Sequence, residues 1–205
     1  MKNLGILLSG RGSNFEAIAK NIVTGKIPNA RIGVVISNKP DAGGLETARH
    51  LGLTALAIPS NGKSREDHDH KVVAALKQHK VELVCLAGYM RLLSPWFVQQ
   101  FPHRILNIHP SLLPAFPGIE AQKQAFAYAV KVSGCTVHFV DEELDHGAII
   151  VQKTVPVLDT DDQDSLATRI LEQEHIAYTE AINVVLEGKF AVVGRRFTRN
   201  AARNT

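Results

Sequence analysis

Apolar, β-prone runs alternate with helical segments through the first half of this chain, and this alternation constrains its fold more than any other sequence feature. The predicted strands cover residues 4–8, 31–36, 54–58, 83–87 and 104–106. Helices are predicted over residues 15–24, 41–52 and 64–78, and again after Ser94 and Pro95. Because helices connect successive strands through short turns, we expect an α/β fold with a doubly wound, mostly parallel sheet.

The second half of the chain follows a different pattern. A helix is predicted over residues 119–130, and β-rich runs over 134–140 and 148–155 suggest a hairpin-like pair joined by an acidic loop. Loop length does not fix the direction of that pairing. A long amphipathic helix is expected over 163–186, followed by a last short strand over 190–197. We predict one domain over residues 1–205, with a solvated or disordered tail from about residue 198.

Composition excludes several functional classes. The net charge of +3 is too mild to imply a nucleic-acid partner, and no apolar run approaches the roughly 20 residues of a membrane helix. Cys85 and Cys135 lie in predicted strands and are expected to be buried thiols, which suits a reducing cytoplasm. The histidines and cysteines form no metal-ligand pattern. We therefore expect a cytoplasmic protein that acts on small-molecule substrates and needs no metal. We expect it to be a monomer or a weak homodimer.

Asn107 and His109 are the first candidates for chemistry. Alternation along an extended strand places both side chains on one face, where the strand gives way to a proline-rich turn. An amide can donate a hydrogen bond to a developing oxyanion, and an imidazole can move a proton near neutral pH. The alternative is that Asn107 caps a turn and His109 is an ordinary polar residue at a strand end.

A glycine-rich turn between the first strand and the first helix is the second candidate. Its backbone N–H groups would face outward at a helix N-terminus, which favours a phosphate at Gly12, Ser13 and Asn14. Phe15 stands where a dinucleotide fingerprint needs its third glycine, so a monophosphate is the better fit. In the alternative, the turn is purely structural and Ser13 caps the helix.

Two further segments carry groups suited to a binding site. Residues 88–93 combine aromatic, thioether, guanidinium and aliphatic side chains, which indicates a pocket for a flat heterocycle or, alternatively, core packing plus a surface Arg91. In the acidic loop, Asp145 is the carboxylate best placed to orient an imidazole, although the sequence cannot show that it reaches His109. His138 is expected to be a buried, hydrogen-bonded histidine near the site.

Four motifs occur here in the order found in the folate-dependent formyltransferases. They are Ser-Gly-x-Gly-Ser-Asn at 9–14, the 87–93 segment, residues 107–114, and Asp-x-Gly-x-Ile-Ile at 145–150. Each motif is weak alone, but together they make the chain resemble this family from residue 4 to about residue 186. The resemblance implies the formyltransferase fold, 10-formyltetrahydrofolate as cosubstrate, and 5′-phosphoribosylglycinamide as the acceptor.

The resemblance also assigns residues to three roles. It implies that the catalytic residues are Asn107, His109 and Asp145. Acceptor binding falls to Gly12, Ser13, Asn14, Gln173 and Glu174. Folate contacts fall to Arg65, Met90, Arg91, Leu92, Leu93, Asn107, Asp141, Glu142, Glu143, Leu144 and Asp145. The chain departs from the family at Glu120, where many members have a histidine.

In the implied reaction Asn107 stabilises the oxyanion, His109 passes a proton to the leaving folate nitrogen, and Asp145 keeps His109 charged and aligned. No covalent intermediate is needed. A formyltetrahydrofolate hydrolase and a formyltransferase with another acceptor are the alternatives. Relatives of those kinds carry extra domains, so the length of 205 residues argues against them. A binding protein without catalysis would not need the three residues together.

Overall fold

The computed structural model describes residues 1–199, which form nine strands and six helices. The strands are β1 Lys2–Leu8, β2 Ala30–Ser37, β3 Ala55–Ala57, β4 Leu83–Leu86, β5 Ile105–His109, β6 Val132–Phe139, β7 Ile149–Pro156, β8 Phe190–Val193 and β9 Arg196–Arg199. The helices are α1 Ser13–Val23, α2 Gly43–His50, α3 Arg65–Gln78, α4 Pro95–Gln100, α5 Ala121–Ala127 and α6 Gln163–Glu187.

Seven of the strands form one sheet in the order β3-β2-β1-β4-β5-β6-β7. The pairs of β1 with β2, β1 with β4, β2 with β3, and β4 with β5 are all parallel. β6 and β7 pair antiparallel, which settles the direction that the sequence left open. The predicted doubly wound, mostly parallel α/β sheet is confirmed, and so is the long last helix.

Contacts between residues divide the chain into two compact units. The first contains residues 1–107 and 140–142, and the second contains residues 108–139 and the chain from residue 143 onward. The single domain expected from the sequence stays a prediction.

The core of the first unit is built by aliphatic and aromatic side chains around β1, β4, α3 and α4. Leu7, Val72, Leu76, Val84 and Phe97 are all fully buried in one hydrophobic cluster. Burial of each such side chain contributes roughly 1.5–3 kcal/mol to folding. These side chains hold α3 and α4 against the sheet, and the segment between β4 and α4 carries residues 88–93.

Helix boundaries follow the capping signals in the sequence. Ser64 accepts a hydrogen bond from the backbone N–H of Asp67 and caps α3, as the Ser-x-x-acid pattern predicts. Asp162 caps α6 through the backbone N–H of Ser165, and the Ser165 hydroxyl accepts from the Asp162 backbone in return. Gly188 ends α6 with a φ of 69°, a conformation that glycine adopts without strain.

The β6–β7 pair of the second unit depends on a glycine. Gly134 pairs with Thr154 across the two strands. A Cβ atom at position 134 would overlap the carbonyl oxygen of Lys153 on β7. The close approach of these two backbones therefore requires glycine at this position.

The C-terminal segment differs from the prediction. The single strand expected over 190–197 is wrong, because residues 194 and 195 turn the chain and β8 pairs antiparallel with β9. Phe190 and Phe197 stack on each other and on Phe139 of β6, with ring centroids 5.4–6.1 Å apart. Thr198 and Arg199, where the tail was expected to begin, are exposed residues at the end of β9. The rest of the predicted tail lies outside the described residues.

Across residues 1–199, the structure contains no helix with the length and apolar character needed to cross a membrane.

Candidate active site

His109 is the last residue of β5, and Asn107 lies two positions before it on the same strand. Side chains two residues apart on a strand leave the same face. His109 is buried, with 4% of its surface exposed, and Asn107 is half-buried. The amide and the imidazole therefore project together from the strand end, as the sequence predicted.

Both ring nitrogens of His109 face oxygen atoms. Nε2 lies 2.8 Å from the carbonyl oxygen of Phe116, which can only accept a hydrogen bond. Nδ1 lies 3.4 Å from Oδ2 of Asp145. A carbonyl oxygen on one side of the ring and a carboxylate oxygen on the other thus fix the orientation of the imidazole.

Asp145 reaches His109 because its loop bends back in an uncommon conformation. The residue has a φ of 50°, in the left-handed region that few residues other than glycine adopt. Its Oδ2 accepts a hydrogen bond from the backbone N–H of Gly118 at 2.7 Å. Its side chain is only 7% exposed. Backbone strain of this kind concentrates at functional sites, where the surrounding structure holds it in place.

His138 flanks the same carboxylate from β6. Its Nε2 lies 3.8 Å from Oδ1 of Asp145, and its Nδ1 donates to the carbonyl oxygen of Phe139 at 2.7 Å. The pairing of β6 with β7 shifts register between Val137 and His138. A bulge of this kind re-aims a side chain, which here points at the carboxylate. Asp145 therefore lies between two buried imidazoles.

The turn after His109 is braced by side chains that the sequence analysis missed. Thr136 of β6 donates its hydroxyl to the carbonyl of Ser111 at 2.7 Å and accepts from the N–H of Leu113 at 3.0 Å. Gln152 of β7 donates to the carbonyl of Leu113 at 2.9 Å. Thr136 and Gln152 both fit the alternating side-chain pattern of their strands. That pattern does not show which loop the two side chains contact.

The glycine-rich turn opens directly into α1. Gly12 is the residue before the helix, with a φ of 86°, and a Cβ there would lie 3.1 Å from Cα of Gly44. Within the described part of the chain no side chain caps α1, so the alternative in which Ser13 caps the helix is wrong. Ser13 and Asn14 are the first two residues of this 11-residue helix, where the helix dipole favours an anion.

A buried polar chain connects this turn to the 88–93 segment. The hydroxyl of Ser9 donates to Oδ1 of Asn38 at 2.5 Å and accepts from the backbone N–H of Met90 at 2.8 Å. Asn38 in turn lies 3.4 Å from the hydroxyl of Ser60. Sequence reasoning missed this link, because Asn38 and Ser60 stand at strand ends that no motif marks.

Residues 88–93 divide between the two roles that the sequence allowed. Tyr89 and Leu93 are buried in the hydrophobic cluster of the first unit, so core packing accounts for them. Met90 and Leu92 are 66% and 49% exposed, as large apolar side chains of a binding surface are. Arg91 is half-buried, and its Nε finds no hydrogen-bond partner among residues 1–199.

The remaining predicted residues lie on two loops and two helices. Arg65 is the exposed first residue of α3, and Glu142, Glu143 and Leu144 are exposed while Asp141 is half-buried. Gln99 donates to Glu142 at 3.2 Å. Glu120 precedes α5, is mostly exposed, and lies 3.6 Å from Lys123.

Glu174 is the buried acid of α6, and Gln173 beside it is half-buried. Cys135 of β6 is a free, fully buried thiol. Burial first, and then the negative charge of Glu174, raise the pKa of the Cys135 thiol to about 12. The carboxylate of Glu174 therefore lies within electrostatic reach of β6. No group of three metal-ligating side chains occurs within residues 1–199.

The formyl transferase family profile matches residues 2–182 of this chain. The phosphoribosylglycinamide formyltransferase of Escherichia coli (strain K12) is 42% identical over 188 residues, which cover 91% of this chain and 88% of that protein. The crystal structure of glycinamide ribonucleotide transformylase 1 from Symbiobacterium toebii superposes with a TM-score of 0.94 at 50% identity, covering 97% of this chain and 94% of that one.

A longer relative also matches. The trifunctional purine biosynthetic protein adenosine-3 of Drosophila melanogaster is 46% identical over 191 residues, or 91% of this chain. The chain spans only 14% of the length of that protein.

Proposed function

This chain belongs to the formyl transferase family, and we propose that it transfers the formyl group of 10-formyltetrahydrofolate to the amine of 5′-phosphoribosylglycinamide in purine biosynthesis. One observation carries the proposal: the contact of His109 with Asp145, beside Asn107 on the same strand. Phosphoribosylglycinamide formyltransferases resemble the chain over nearly its whole length, which supports this acceptor.

In the proposed reaction the amine nitrogen of the acceptor attacks the formyl carbon, and the carbonyl oxygen becomes an oxyanion. The Asn107 amide donates a hydrogen bond to that oxyanion. His109 donates a proton to the departing folate nitrogen as its bond to the formyl carbon breaks. The attacking nitrogen releases one proton to water, and His109 takes up one proton from water, so the overall reaction balances. The products are tetrahydrofolate and the formylated amine, so no covalent bond to the protein is required.

Asp145 stabilises the charged imidazole during this transfer. Its Oδ2 faces Nδ1 of His109 and is itself fixed by the N–H of Gly118. Nε2 of His109 is bound instead to a neutral carbonyl, that of Phe116. The neutral carbonyl of Phe116 binds the proton on Nε2 less strongly than the charged carboxylate of Asp145 binds the proton on Nδ1. We therefore expect Nε2 to release its proton to the folate.

We assign the two substrates to the residues that the family resemblance names. The acceptor phosphate binds the backbone N–H groups of Gly12, Ser13 and Asn14, where the α1 dipole favours an anion. The acceptor amine or ribose binds through Gln173 and Glu174. The exposed Met90 and Leu92 support contact with the flat folate ring. The reaction takes place in the cytoplasm, and the active form is a monomer or weak homodimer.

The proposal is tested by following tetrahydrofolate release from 10-formyltetrahydrofolate with and without 5′-phosphoribosylglycinamide. We expect release only when the ribonucleotide is present. Equal release in its absence would show a hydrolase, which transfers the formyl group to water. No release under either condition would show that this acceptor is wrong or that the chain binds folate without reaction.

A further inference from the structure

A second buried histidine and aspartate lie together in the first unit, apart from the proposed catalytic residues. His68 and Asp69 are adjacent on α3, and their surfaces are 0% and 1% exposed. Nδ1 of His68 lies 3.7 Å from Oδ1 of Asp69. Burying a carboxylate costs folding free energy unless other groups compensate its charge. The groups that bind Asp69 therefore indicate its role.

The strongest partner of Asp69 is the segment that precedes α4. The backbone N–H of Ser94 donates to Oδ2 of Asp69 at 2.6 Å. Ser94 then caps α4, since its hydroxyl accepts from the N–H of Phe97 at 3.2 Å. Asp69 thus fixes the residue at which the 88–93 segment ends and the helix begins.

The ring of His68 lies beside the carboxylate without a hydrogen bond between them in residues 1–199. Its Nε2 donates to the carbonyl of Ile58 at 2.9 Å, which leaves Nδ1 facing Asp69. Burial alone would raise the pKa of Asp69, but the His68 side chain and the hydrogen bonds from Ser94 lower it more. The carboxyl group is therefore held as an anion beneath the segment.

The charge of Asp69 also acts on the segment itself. Burial raises the pKa of the Tyr89 hydroxyl, and the negative charge of Asp69 raises it further, while Arg91 opposes the shift. The Tyr89 hydroxyl and Nε of Arg91 are buried, and neither is hydrogen-bonded within the part of the chain that the structure describes. The segment is thus hydrogen-bonded to Asp69 through Ser94 at its C-terminal end. It also contains two buried polar groups, the Tyr89 hydroxyl and Nε of Arg91, that can bind a ligand.

We propose that Asp69, buried beside His68 and bound to the backbone N–H of Ser94, is a positioning residue that sets the conformation of residues 88–94 for binding of the folate donor. The inference rests on the proposed function, because the role of this segment in donor binding comes from it. Asp69 binds the Ser94 end of the segment, whereas the glycine-rich turn is joined to the opposite end through Ser9, so the larger effect is expected on the donor.

The test uses the full chain with Asp69→Asn, which keeps the size of the side chain and removes its charge. We expect the donor KM to rise about tenfold, with the acceptor KM within about twofold and kcat within about threefold of wild type. The matched control is Asp67→Asn, a change of the same kind at an exposed position of the same helix, which should leave all three constants unchanged.

Trp96 provides a readout that needs no catalysis. It is the only tryptophan in the sequence, it follows Ser94 by two residues, and its ring centroid lies 3.8 Å from that of His70 on α3. Asp69→Asn should increase quenching of Trp96 fluorescence by acrylamide and weaken tetrahydrofolate binding titrated through the same signal. Equal rises in both KM values, or an unchanged donor KM and tetrahydrofolate affinity, would overturn the proposal.

If Asp69→Asn does not fold, His68→Gln replaces it, because glutamine can still donate to the Ile58 carbonyl while the ring beside Asp69 is lost. The same split between donor and acceptor is expected, at about threefold. If wild type does not transfer the formyl group, the proposed function fails by itself. The inference about Asp69 is then decided by tetrahydrofolate affinity and Trp96 quenching alone.

Discussion

Two buried histidine–aspartate pairs, built from the same side chains, are used differently by this molecule. His109 and Asp145 are 36 positions apart in sequence and meet through a strand end and a strained loop. His68 and Asp69 are neighbours within one regular helix. Their separations of 3.4 Å and 3.7 Å are nearly the same, so distance does not distinguish the two pairs.

The other partners of each pair distinguish them. His109 lies on the same strand as Asn107, whose amide can donate a hydrogen bond to a substrate, and Asp145 is flanked by a second imidazole, that of His138. Around Asp69 the direct hydrogen-bond donor is a backbone N–H, that of Ser94. The first pair is therefore suited to chemistry, and the second is suited to holding backbone in place.

The largest expected effect is that of His109→Ala. Removing the imidazole eliminates the proton donor, so kcat should fall by about 100-fold or more, with little change in the donor KM. Steady-state assays with both substrates measure this directly. Activity within a few-fold of wild type would show that the His109–Asp145 pair takes no more part in the chemical step than the His68–Asp69 pair does.

Asp145→Asn should have the next largest effect. The amide retains the size of the side chain but loses the charge that supports a protonated His109, so kcat should fall roughly 100-fold. Asp69→Asn is the natural comparison, since it makes the same chemical change in the other pair and should act on KM. Full activity of Asp145→Asn would refute the role of its carboxylate.

Gly12→Ala tests the acceptor site, as Asp69→Asn tests the donor site. A methyl group at a φ of 86° would be strained and would crowd Cα of Gly44. The acceptor KM should rise about tenfold while the donor KM stays unchanged, the reverse of Asp69→Asn. Inhibition by inorganic phosphate that competes with the acceptor should weaken in parallel, which provides an independent check.

The smallest effect concerns stability in acid. The pKa of Asp69 is lowered on folding from an ordinary value of 3.8, so its charge stabilises the folded state above that pH. This contribution is lost as the pH falls through the lowered value. Urea unfolding should show wild type more stable than Asp69→Asn at about pH 7, with the difference shrinking by about pH 3. A constant difference across this range would contradict the shift.

The sequence alone was sufficient for the alternation of strands and helices up to β5 and for placing Asn107 and His109 at a strand end. Alternation identified β1 to β5, and the pair Asn107 and His109 stood out because a strand ended there. Capping residues such as Ser64 and Asp162 marked helix starts because their hydrogen bonds are local. Local interactions of this kind leave a pattern in the sequence that can be recognised.

Long-range contacts left no such pattern. The contact of Asp145 with His109, the bracing of the turn by Thr136, and the hydrogen bond from the Ser94 N–H to Asp69 each join residues far apart in the chain. The β8–β9 turn was missed for a different reason, because β-prone residues lie on both sides of Gly194 and suggest one continuous strand. Gly194, with a φ of 57°, turns the chain, and Phe190 and Phe197 then pack on Phe139.

The bare backbone of Gly134 limits which mutations this protein can accept. His138 lies four residues further along the same strand, about 13 Å away at the usual rise per residue. Any side chain at 134 would push β6 away from Lys153 and change the register that aims His138 at Asp145. In a saturation library selected for growth, this position should be as intolerant of substitution as the catalytic ones, although it contributes no atom to the reaction.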